Sequence, residues 1–130
     1  MTIDSPIDTQ WFIQKATEND WTAIDDRVTE ISNNPAWINW TSEGLISEVL
    51  YERDIAISLL EKTKLPFDES KEFGLRRVLQ TDENQHLRRK SAIAFFVHGI
   101  KDEEILSLLH DAQHNDDELR EQVVMLLTKL

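Results

Sequence analysis

DENQHLRRKSAIAFFVHGIKDEEILSLLHDAQHNDDELREQVVMLLTKL, residues 82–130, holds two passes of one pattern. Leu87-Arg88 is answered thirty-two residues later by Leu119-Arg120, and an apolar run follows each pair at the same offset. From Leu87, the residues Ser91, Ala94, Phe95 and His98 share one helical face, while Ile93, Phe96 and Val97 make the rest of the circumference apolar. Such a helix has to be covered on more than one side. Gly99 supplies a left-handed stop, and Asp102 caps a new helix whose first turn places Glu103 and Glu104 at the positive end of the dipole. That helix carries one stripe, Ile105, Leu108, Leu109 and Ala112, with Leu106 at its edge and Ser107, His110 and Asp111 outside. Asn115 to Asp117 offer caps for a last helix with Leu119, Val123, Leu126, Leu127 and Leu130 in register, and only Val124 and Met125 leave its stripe. A helix buried nearly all round, then an amphipathic one, then a more one-sided last helix predict a stack of helical hairpins in which each buries its core against its neighbours.

Upstream the pattern thins. Ile55-Ala56-Ile57 and Leu59-Leu60 are placed as Ser91-Ala92-Ile93 and Phe95-Phe96 are, at an offset of thirty-six. After Pro66, residues 68–80 read as the outer partner of the Leu87 helix through Phe73, Leu75, Val78 and Leu79. Between Ser42 and Lys62 the pattern admits one continuous helix or a hairpin broken near Tyr51 to Asp54, and the hairpin is preferred. The first forty residues contain all four tryptophans, Trp11, Trp21, Trp37 and Trp40, and predict helices at 9–18, 20–32 and 35–40, with Asn34 capping a helix that opens on Pro35. Eight helices make about four antiparallel hairpins. Three glycines, three prolines and no strand-like alternation point to an all-α fold. The chain reads as one domain, with 1–66 acidic, tryptophan-rich and divergent and 67–130 more regular.

Residues 82–130 resemble HEAT repeats, in particular the short bacterial kind seen in phycobilisome-lyase-like proteins. Asp82, the pair Leu87-Arg88 and the small residues Ser91-Ala92 fit that scheme. Leu119-Arg120 fits it again, with Asp116 or Asp117 closer to the arginine and Val123-Val124 in place of the small pair. The resemblance implies an armadillo-type, right-handed α-α superhelix in which Arg88 and Arg120 pair with inter-helix aspartates, Asp82 among them, and tie one repeat to the next. It also implies a possible role, that of a phycobilin lyase or antenna-associated chaperone that assists attachment or removal of a bilin chromophore.

Composition narrows the function classes. The formal charge is -11, and Met1 to Leu60 carries eleven acidic residues against Lys15, Arg27 and Arg53. Such a surface repels phosphate backbones and anionic lipid, so neither nucleic acid nor membrane is the expected partner. The one concentration of basic residues, Arg76, Arg77, Arg88, Arg89 and Lys90, is set among Glu69, Glu72, Asp82 and Glu83. The absence of cysteine rules out disulfides, thiolate zinc sites and cysteine nucleophiles, and makes a reducing cytoplasm the expected compartment. Residues 1–10 carry Asp4 and Asp8 and no leader-like pattern, so the chain is expected to be unexported.

No residue pattern calls for catalysis. His110 and His114 have a ligand spacing on one helix but lack a third anchored ligand, so a metal-free surface pair is expected. His98 sits at a core position, where a hydrogen bond to a carbonyl is the expected role. The chain has no glycine-rich phosphate loop and no Gly-x-Ser-x-Gly elbow. No enzyme activity, cofactor or metal is therefore expected. The expected function is a non-catalytic protein-interaction module, with Arg89, Ile93, Glu121 and Met125 on an inner-helix surface and Trp37 and Trp40 as aromatic anchors. A narrower alternative is an acidic immunity or inhibitor protein that masks a basic toxin. Val124 and Met125 also suggest a homo-oligomer formed through the C-terminal helix.

Overall fold

The computed structural model describes residues 8–129. Among them the chain forms eight α-helices and no strand: α1 (Thr9–Thr17), α2 (Trp21–Ile31), α3 (Pro35–Gly44), α4 (Leu50–Lys62), α5 (Glu69–Thr81), α6 (Gln85–Val97), α7 (Glu103–Asn115) and α8 (Arg120–Leu127). Most begin where a short polar side chain meets a free backbone N–H. Asp8, Asp20, Asn34, Asp68, Asn84 and Asp102 each accept a bond from the first turn that follows. Pro35 occupies the first turn of α3, and Gly99 closes α6 at φ +85°. Leu130 and residues 1–7 lie outside the described residues, as therefore do the expectations drawn from them.

The break between α3 and α4 differs from the expectation. α3 ends at Gly44 and α4 starts at Leu50, so the turn lies at 45–49, upstream of Tyr51 to Asp54. Gly44 is needed at a close approach: a Cβ there would meet the Trp40 ring at 2.8 Å and the Ala56 Cβ at 2.9 Å. Ser47 then orders the turn. Its hydroxyl accepts from Val49 N–H and bonds Glu52, while its carbonyl accepts from Arg53 Nη1.

The helices pack in pairs, α1 with α2, α3 with α4, α5 with α6 and α7 with α8. α2, α4, α6 and α8 also touch in succession and form a row of inner helices, while α3 meets α5 on the other side. α6 is buried from Ser91 to Phe96, as its unstriped apolar sequence requires. α7 buries only Ile105, Leu108, Leu109 and Ala112. Two apolar clusters result. One gathers Phe12, Val28, Ile31, Trp37 and Ile38, and the larger one runs from Leu45 through α5, α6 and α7 to Val123. α4 belongs to both, giving Ile55 and Leu59 to the first and Ala56, Ile57 and Leu60 to the second. Phe73, expected in the α5 stripe, is 64% exposed, whereas Leu75, Val78 and Leu79 are buried.

A groove across the inner helices

The inner helices enclose a groove of about 750 Å³. Phe12 and Ala16 of α1 close one end, and Glu118, Leu119 and Gln122 at the start of α8 close the other. Between them α2 contributes Trp21, Ile24, Asp25 and Val28, α4 contributes Tyr51, Asp54, Ile55, Ser58, Glu61 and Lys62, and α6 contributes His86 and Lys90. The spacings explain the arrangement. Trp21, Asp25 and Val28 recur at helical intervals on α2, Tyr51, Asp54, Ser58, Glu61 and Lys62 on α4, and His86 and Lys90 stand one turn apart on α6, so each helix turns one face towards the same space, mostly apolar on α2 and polar on α4 and α6.

Ion pairs and hydrogen bonds hold the floor. The Lys90 ammonium pairs with Asp54 and donates to Ser58 Oγ at 2.8 Å, joining α6 to α4. Ser58 and Lys90 resemble a nucleophile and its base, but an ammonium committed to a carboxylate has no lone pair with which to take the hydroxyl proton. At the far end Gln122 Nε2 donates to Glu61 at 3.0 Å, joining α8 to α4. His86 Nδ1–H donates to the buried Asp116 carboxylate at 2.8 Å, because that carboxylate can only accept, and Nε2 lies 3.7 Å from Glu118. Burial works to raise the Asp116 pKa, yet the bonds from His86, Leu119 N–H and Arg89 hold its carboxyl below the usual range.

The expected surface residues are distributed differently. Ile93 is fully buried in the larger core and Arg89 is turned away from the groove, so neither is presented to a partner there. Arg89 binds Asp111 at 2.8 Å and reaches Asp116 at 3.5 Å; the Asp111 bond, outweighing desolvation, raises its pKa. Glu121 and Met125 are exposed, Met125 at 60%, but they stand beside Glu118 and Gln122 without lining the groove. On α6 the groove takes His86 and Lys90, three before and one after Arg89, a rotation of the helix by less than a third of a turn, and around the start of α8 it takes Glu118, Leu119 and Gln122. Trp37 is buried edge-on between Phe12 at 5.8 Å and Trp40 at 5.5 Å, and Trp40 is packed against both cores. Trp21 is the exposed tryptophan, at 50%. Its position at the start of α2, one turn before Asp25, was the available sequence signal.

Of the two arginines expected to pair with inter-helix aspartates, Arg120 does so with Asp117 and Arg88 does not, and both also bind backbone. Arg88 Nε donates to the Leu79 carbonyl at 2.8 Å and Arg120 Nε to the Gln113 carbonyl at 2.8 Å, each at the end of the preceding helix. Asp82 instead receives Arg53 at 2.8 Å. His98 Nε2–H donates to the Leu60 carbonyl, in the role expected of it. His110 and His114 are exposed on α7, and among the described residues no three His, Asp or Glu side chains are grouped to hold a metal. No described helix is long and apolar enough to cross a membrane. No family model, curated protein or solved structure matches this chain.

Proposed function

We propose that the protein is a non-catalytic binding module, an HEAT-like right-handed stack of four helical hairpins whose inner-helix groove receives a segment of a protein partner. The observation that carries this reading is a groove built by α1, α2, α4, α6 and α8 and edged by accessible aromatic rings, Trp21 and Tyr51. Aromatic side chains on a rigid helical frame offer a large contact area at small conformational cost. Lys90 with Asp54, Gln122 with Glu61 and His86 with Asp116 join neighbouring elements beside the groove, an arrangement that fixes the shape of a docking surface. The pairing of helices in two rows supports the hairpin stack.

Affinity capture from native cells tests the reading with three baits: the wild-type chain, Trp21→Ala combined with Tyr51→Ala, and Phe73→Ala, which is exposed on α5 and does not line the groove. Partners held by wild-type and Phe73→Ala but lost by the groove variant support it. Identical capture by all three baits removes the groove from the function.

A further inference from the structure

The charges around the groove differ sharply in how far they reach solvent. Lys90 is tucked between Asp54 and Ser58 with its side chain 16% exposed, whereas Glu118 at the α8 end is 83% exposed. Asp25 is exposed at the α2 end, one turn from Trp21. The lining holds four carboxylates, Asp25, Asp54, Glu61 and Glu118, against Lys62, Lys90 and His86, within a chain of formal charge -11. The lysine nearest the floor is already neutralised by Asp54, so an incoming anion meets no uncommitted cation there except Lys62 at the rim. An incoming cation meets carboxylates at both ends of the groove and an aromatic face beside Asp25.

Resting on the binding-module reading, we propose that the occupant of the groove is a basic segment of a partner protein, with arginine or lysine side chains beside apolar ones. Its leading cation lies over Trp21 and pairs with Asp25, a second pairs with Glu118, and apolar side chains between them cover Ile24 and Tyr51. A cation over an indole face with a carboxylate alongside draws on both ring quadrupole and charge attraction. A second copy of this chain is a poor occupant, because its own acidic surface meets the same carboxylates.

The test uses the full chain and three designed peptides of one length, sharing leucines at helical spacing and carrying arginine, glutamine or glutamate at the intervening positions. Binding is followed by fluorescence anisotropy at two salt concentrations. The arginine peptide is expected to bind, to weaken with salt, and to lose about tenfold in affinity when Asp25→Asn and Glu118→Gln are combined. Both changes alter solvent-exposed side chains, and unchanged thermal melting of the double variant verifies the fold. Equal binding of the glutamine peptide, still abolished by Trp21→Ala, overturns the basic-partner inference and leaves the groove as a docking site. Binding of every peptide with no effect of Trp21→Ala overturns both. Failure of the arginine peptide to bind, or self-association of the protein that Trp21→Ala abolishes, overturns the basic segment as the occupant.

Discussion

Arg53 and Arg89 stand at the thirty-six-residue offset that also relates Asp54 to Lys90. Each reaches from an inner helix to an aspartate just after the next outer helix: Arg53 to Asp82, Arg89 to Asp116. Each aspartate also accepts a backbone N–H at the start of the next inner segment, Asn84 for Asp82 and Leu119 for Asp116. Successive helix pairs are therefore tied by an arginine–aspartate ion pair, with His86 added at Asp116. Replacing Asp116 with Asn keeps an oxygen for Leu119 N–H but leaves His86 without its buried carboxylate and removes the longer of the two that Arg89 reaches. Urea denaturation should show a loss of about 2 kcal/mol, the range of a hydrogen bond to a charged group. The folded pKa values of Asp111 and Asp116 lie below their unfolded values of about 4, so the unfolded chain binds more protons as pH falls through that range. Their contribution is complete above the unfolded values and is lost as pH drops through the folded ones. Acid unfolding of Asp116→Asn should accordingly be shallower than that of wild-type below about pH 4. At Ile93, sequence spacing suggested a presented side chain, but burial predicts that Ile93→Ala costs about 2–5 kcal/mol by the same urea measurement.

The starts of α3, α5 and α7 were readable because their determinants sit within one turn of each other, whereas α8 starts at Arg120 without a side-chain cap from Asn115 to Asp117. Asn34-Pro35, Asp68 and Asp102 each carry an acceptor beside the N–H groups that need it, and the helices start there. The α3–α4 break was misplaced because its cause is contact between helices. Gly44→Ala brings a methyl within 2.9 Å of the Ala56 Cβ on α4, which gives way only if α4 shifts. Its thermal unfolding should show a loss of about 1–3 kcal/mol from overpacking. Gly99→Ala meets nothing within 4 Å, so its cost is confined to the left-handed backbone, about 1 kcal/mol. A larger loss at Gly99 than at Gly44 would show that the α3–α4 approach is looser than its distances indicate. Arg88 and Arg120 were legible as equivalent positions, but their carbonyl partners were not, since a backbone acceptor leaves no mark in residue identity.

Across the whole molecule, α4 joins the two cores through neighbouring faces. All four tryptophans lie in α1 to α3, so tryptophan fluorescence reports those three helices while far-ultraviolet circular dichroism reports every helix. If α4 couples the cores, both probes should give one urea midpoint, and Leu59→Ala should lower both together by removing packing from the first core alone. Separate midpoints would show that α1 to α3 unfold independently. The all-α class, the helix count and the stripes of α7 were determined by the sequence itself, because periodicity and caps act over three or four residues. Only the tertiary structure decided that His86 and Lys90, rather than Arg89 and Ile93, face the groove, and that Trp21 is exposed while Trp37 is buried. A helix apolar nearly all round has no preferred outward side, so its rotation is set by partners such as Asp54 and Asp116, which stand far from it along the chain.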